Sequence, residues 1–77
     1  MNDLNRQQRK IDAIYRQQIS IIETGLQKGN GELVLVGMIK AKLILEVMEA
    51  LKLHSRSYCL NLRADLEELR KKGVKYG

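Results

Sequence analysis

Proline, phenylalanine and tryptophan are absent from this 77-residue chain, and cysteine and histidine occur once each, as Cys59 and His54. Each absence removes an option. Without proline nothing forces a helix to break, so long uninterrupted helices are favoured. A single cysteine excludes an internal disulfide framework and suits a reducing compartment. One cysteine with one histidine also leaves no zinc set. The opening residues Met1-Asn2-Asp3-Leu4-Asn5-Arg6 contain no apolar core of secretory type, so the expected location is cytoplasmic. Long charge-free apolar runs are missing as well. The most apolar stretch, Leu33 to Leu51, carries Lys40, Lys42, Glu46 and Glu49, and a membrane span is not expected there.

What remains is 44% hydrophobic and 30% charged, a globular composition. The length fits one small domain, residues 1–77. Chains of this size bury a modest fraction of their surface, so burial borrowed from a second copy or a partner is a natural supplement. The expected fold is all-α: helices over about 3–28, 32–53 and 56–72, arranged as a helical hairpin with a third amphipathic helix and intertwined or packed as a homodimer.

In the first segment Leu4, Ile11, Ile14, Tyr15, Ile19, Ile21, Ile22 and Leu26 fall on an arc of roughly 160° at helical spacing. Asn2 or Asp3 can cap its start, and Gly29 suits its end. Three residues interrupt the stripe: Gln7, Gln18 and Gly25. Gln18 either tolerates partial exposure or pairs with its copy across a helix seam. The shortness of Gly29-Asn30-Gly31 implies that its flanking segments turn back on each other, with Asn30 as the cap of the second helix.

That second helix begins apolar on every side, Leu33-Val34-Leu35-Val36-Gly37-Met38-Ile39. A helix apolar all round must be covered all round. A second subunit is therefore expected to cover it, at an interface of Gln18, Ile22, Leu33, Leu35, Val36 and Ile39. The β-branched residues of 33–36 also read as a short strand, the alternative to helix there. Lys40 lies inside the apolar arc, where its stem can follow apolar surface with the ammonium in water.

His54-Ser55-Arg56-Ser57 forms the second break, and Ser55 or Ser57 can cap a third helix that stops at Gly73. The buried face of that helix reads Tyr58, Leu62, Leu66 and Leu69, with Cys59 at its margin. Glu67–Lys71 and Glu68–Lys72 are favourably oriented pairs four residues apart. Val74 and Tyr76 are expected to fold back on the helix end. His54 reads as a helix C-terminal residue favoured by the dipole.

No catalytic constellation, metal set or cofactor motif is present in the sequence, and a non-enzymatic protein is expected. The +5 net charge is concentrated at the two ends of the chain, which suits polyanionic partners. The run Val47-Met48-Glu49-Ala50-Leu51-Lys52-Leu53-His54-Ser55-Arg56-Ser57-Tyr58, with Leu62-Arg63-Ala64-Asp65-Leu66-Glu67-Glu68-Leu69-Arg70-Lys71-Lys72-Gly73-Val74, resembles helix-turn-helix repressors, especially winged-helix ones. The resemblance implies a small dimeric DNA-binding regulator of transcription. Its double-stranded DNA contacts would fall on Ser55, Arg56, Ser57, Asn61 and Arg63. These side chains have the right chemistry, since Arg reads guanine, Asn reads adenine and Ser holds phosphate. The alternative is an adaptor or inhibitor that docks on a larger protein through an exposed apolar strip, with Leu60 and Ala64 at its centre.

Overall fold

A computed structural model describes the backbone of residues 3–76 and the side chains of residues 3–73. The chain forms three helices, α1 (Asp3–Lys28), α2 (Gly31–Ala50) and α3 (Arg56–Tyr76), and no strand among the described residues. The Leu33–Val36 run is therefore helix. Its β-branched residues sit inside a continuous apolar pattern that extends the helix past them, and local strand preference yields to packing.

Two short connections fold the helices into an up-down-up bundle measuring 43 × 19 × 14 Å. At the first, Gly29 takes a left-handed backbone with φ +66°. The amide of Asn30 donates to Gly25 O at 2.8 Å and that of Gly29 to Leu26 O at 3.3 Å, the paired bonds of a Schellman ending. Asn30 then caps α2, its Oδ1 accepting from Leu33 N at 3.2 Å. One residue thus closes one helix and opens the next, and the connection can be two residues long.

The second connection uses the same geometry without a glycine. Lys52 holds φ +53°. Its amide donates to Glu49 O, and the amide of Leu53 donates to Met48 O, each at 3.1 Å. Leu53 and Met48 are both buried, which supplies the apolar contact such endings usually carry. This motif ends α2 at Ala50, three residues earlier than the apolar pattern alone implies. Leu53 packs inward from the turn rather than from the helix.

The α1–α2 contact is the most extensive, and α3 lies against both. The core consists of Tyr15, Ile22, Ala41, Leu45, Met48, Leu53 and Cys59, with Ile11, Ile19, Leu26, Val34, Met38, Tyr58, Leu62, Leu66 and Leu69 packed around it. Cys59 belongs to the core rather than its margin. Ile14 and Leu4 stand exposed despite lying on the expected arc, because α2 and α3 cover a narrower sector of α1 than that arc spans.

Glycines set the helix spacing. A Cβ at Gly25 would lie 3.0 Å from Val34 N, and one at Gly37 would lie 2.6 Å from Ile22 Cγ1. Gly73 is a third close approach, with Val34 Cγ1 3.2 Å from a Cβ there. It does not stop α3, which continues to Tyr76. The side chains of Val74 and Tyr76, expected to fold back, lie outside the described residues. On the outer face of α3 the ion pairs are Glu67–Arg70 and Glu68–Lys71, three residues apart rather than four. Both are exposed and contribute little.

Polar ties fix α3 against α1. Tyr15 donates its hydroxyl to Leu62 O at 3.3 Å. Burial, with Asp65 adding repulsion, pushes the Tyr15 phenol up to about 12. The unfolded chain therefore releases this proton before the folded one does. The stability it contributes is complete below about pH 10 and is lost as pH rises toward 12. Unfolding free energy should fall by roughly 2 kcal/mol across that window, as measured by urea denaturation. Tyr15→Phe should flatten the decline, and an equally steep decline in that variant would refute the assignment.

Candidate protein-docking face

Helix α2 is apolar on two sides, and a three-helix bundle covers only one of them. Gly37, Ala41, Leu45 and Met48 point into the core. Two of the four are small, which lets α1 approach closely. On the far side Leu35, Ile39, Leu43 and Val47 recur every four residues and remain 60, 52, 55 and 45% exposed. Val36 and Leu51 widen and lengthen the strip. From Leu35 to Leu51 it runs about 24 Å at helical rise. Isolated exposed aliphatics are ordinary; a continuous row on one helix is a candidate interaction surface.

The flanks of the strip are charged. Exposed Lys40 borders one side, while Lys42 and then Glu46 border the side nearer α3. No ion pair involves these three among the described residues. Across α2 as a whole, Lys40 and Lys42 stand against Glu32, Glu46 and Glu49. The helix is slightly acidic in a molecule of net charge +5.

The residues expected at a subunit interface separate into two groups. Leu35, Val36 and Ile39 lie on the exposed strip, and Leu33 is half-buried beside it. Ile22 and Gln18 do not join them. Ile22 is wholly enclosed and Gln18 is buried, both between α1 and α2 of a single chain. Their positions on α1 face α2 within the chain, so they are closed to a second subunit. Gln18 Oε1 has no hydrogen-bond partner. The main-chain oxygen of Gln18 lies 3.3 Å from the Cβ position of Gly37, which places this turn of α1 directly against α2. Leu43 and Val47, absent from the expected set, complete the strip. The four-residue spacing from Leu35 was the signal that finds them.

The candidate DNA-contact residues lie at the opposite end of the bundle from the α1–α2 turn. Ser55 caps α3, its Oγ accepting from Tyr58 N at 3.2 Å. Arg63 donates through Nε to Glu49 Oε1 at 2.6 Å, and this bond raises its pKa above the ordinary arginine value. Arg56, Ser57 and Asn61 are exposed. Leu60 and Ala64 are exposed as well, and Leu60 lines a cleft with Arg56, Arg63, Glu49, Lys52 and His54. Cys59 stands at the floor of this cleft, and burial raises its thiol pKa.

His54 does not cap α2, which has already ended. Its Nε2 pairs with Asp12 Oδ1 at 2.8 Å, and its ring stacks on Tyr58 with centroids 4.0 Å apart. Tyr58 donates its hydroxyl to the same carboxylate oxygen at 3.2 Å. Burial and the Asp12 carboxylate both raise the Tyr58 pKa. Gln8 donates to Leu53 O. This cluster clamps the α2–α3 turn onto α1, and each of its four polar side chains, Gln8, Asp12, His54 and Tyr58, has a partner within the chain.

No set of three His, Cys, Asp or Glu side chains that could hold a metal occurs among the described residues. Nor is any described helix long and apolar enough to cross a membrane. No protein family matches the chain, and comparisons with curated proteins and with solved structures found no match.

Proposed function

We propose that this chain is a non-enzymatic helical protein-binding module that works through the exposed face of α2. The observation that carries this reading is the row Leu35, Ile39, Leu43 and Val47, held on a rigid helix and left uncovered by the rest of the chain. An apolar strip of this length on a fixed helix fits recognition of another apolar helix face, packed at about 8–10 Å between axes. The strip is displaced from Leu60 and Ala64, which makes α2 rather than α3 the centre of the surface.

The geometry gives the duplex-reading alternative less support. Ser55 is engaged as a cap and Arg63 as an ion-pair partner. Helix α3 also runs back along α2, with Arg63 beside Glu49 and Gly73 beside Val34. A recognition helix is instead set across its neighbour at a wide angle.

A photo-cross-linking residue in place of Leu43, irradiated in the host cell, tests the reading. Protein adducts are expected at this position and not at Lys71 on the charged outer face of α3. Absence of protein adducts from position 43 sinks the docking face. Strongly salt-dependent binding of a short duplex, abolished by Arg56→Ala, would establish the DNA reading instead.

A further inference from the structure

We propose that Asn30 is a site of spontaneous deamidation, in which the backbone nitrogen of Gly31 displaces the side-chain amide of Asn30 as ammonia, and that the helix cap Asn30 forms sets the rate. This is a covalent modification at the α1–α2 turn, independent of what docks on α2.

The sequence holds four asparagines, and only Asn30 precedes a glycine. Asn2, Asn5 and Asn61 precede Asp3, Arg6 and Leu62, whose side chains crowd the backbone nitrogen that would attack. Glycine has no Cβ to shield its own nitrogen. The surroundings of Gly31 are open as well, since a Cβ built there would meet nothing beyond its own stretch of chain within 4 Å. Asn30 and Gly31 are both exposed, so water reaches the pair. Gly31 is the first residue of α2, and the first amides of a helix have no acceptor within it. Its nitrogen is therefore not held by the helical ladder.

The reaction needs no reagent besides water, and it is intramolecular, which favours ring closure. Gly31 N bonds to Asn30 Cγ and closes a five-membered imide. The carboxamide C–N bond breaks, and its nitrogen leaves as ammonia with the proton that Gly31 N gives up. Water then opens the ring at either carbonyl. Opening at Cγ restores the main chain and leaves aspartate. Opening at the main-chain carbon sends the backbone through Cβ and Cγ and leaves isoaspartate.

The geometry of the turn restrains the first step. Asn30 Oδ1 accepts from Leu33 N at 3.2 Å, and Asn30 N donates to Gly25 O at 2.8 Å. Ring closure must swing Cγ onto Gly31 N, so the cap has to open locally first. The two products then differ in what they do to the turn. Aspartate caps a helix as well as asparagine, and its charge suits the positive end of α2. In the isoaspartyl chain the main-chain oxygen that accepts from Val34 N at 3.2 Å no longer belongs to the peptide leading into α2. The first turn of α2 is loosened, and with it the approach to Leu35 at the start of the exposed strip.

The full chain, incubated at neutral pH and physiological temperature, should accumulate acidic forms separable by ion exchange. Peptide mapping should place them at residue 30 as aspartate and isoaspartate. Gly31→Ala, which the open space there accommodates, should largely abolish them. In guanidinium chloride the same chain should convert about 5-fold faster, the factor a cap of ordinary strength supplies. Equal rates in the folded and unfolded chain overturn control by the cap. Conversion at Asn5 or Asn61 ahead of Asn30, or none at Asn30 while the unfolded chain converts fully, overturns the site. Asn30→Asp should keep the Tm of the parent, whereas the isolated isoaspartyl form should melt lower. An isoaspartyl form that melts with the parent overturns the loosening of α2.

Discussion

Leu45→Ala is expected to lower the unfolding free energy by about 3 kcal/mol, within the range for buried leucines. Leu45 is fully enclosed, one of the three largest fully buried side chains with Ile22 and Met48. Removing its isobutyl group forfeits the transfer energy of those atoms and leaves a cavity among three rigid helices. Met48 and Leu53, buried nearby along the chain, are held by the turn bond from Leu53 N to Met48 O. For a domain of this size 3 kcal/mol corresponds to a fall of roughly 15 °C in Tm, measurable by thermal denaturation. Leu60→Ala provides the contrast. Leu60 is more than half exposed, and its truncation should change stability by less than about 0.5 kcal/mol. Comparable losses from Leu45→Ala and Leu60→Ala would contradict the placement of the core.

Gly25→Val is expected to cost about as much, for the opposite reason. The added Cβ alone would stand 2.9 Å from Val34 Cγ2, 3.0 Å from Leu33 Cβ and 3.0 Å from Val34 N. Two of these three atoms cannot be moved by a rotamer change, since one is backbone and one is a Cβ. Helices α1 and α2 would have to part, exposing Ile22 and Tyr15. Overpacking of this kind costs roughly 1–3 kcal/mol, and two γ-methyl groups place valine at the upper end. Alanine at the same site supplies the sharper measurement. On helix propensity alone Gly25→Ala should stabilise by about 1 kcal/mol. A net loss, read by urea denaturation, identifies the close approach as the dominant effect. A net gain would show that the helices separate more easily than their contact distances imply.

Much of this architecture is written locally. The all-α class, the start of α1 at Asp3 and its end at Lys28, the Asn30 cap and the Ser55 cap follow from residue spacing and from side chains that bond backbone three residues away. Such features depend on neighbours in the chain and leave a clear imprint on it. The end of α2 left none. Lys52 adopts the backbone that glycine adopts most easily, because the burial of Leu53 against Met48 holds it there. The extension of α3 past Gly73 was equally hidden, since a stop glycine and a close-contact glycine are the same letter. Only the position of Val34 tells them apart.

The candidate site divides along the same line. The sequence by itself determined that α2 carries more apolar surface than one face can bury, because helical spacing spreads Leu33 to Ile39 around the axis. The sequence also determined the order of Lys42 and Glu46 along one flank. Only the tertiary structure decided which side of α2 stays open. The close approach at Gly37 commits that edge of the helix to α1, along with Gln18 and Ile22, and α3 takes the neighbouring sector through Arg63 and Glu49. Leu35, Ile39, Leu43 and Val47 are what two partners cannot reach. The physical reason is one of angle: an all-round apolar helix needs cover on every side, and two neighbouring helices subtend only part of its circumference.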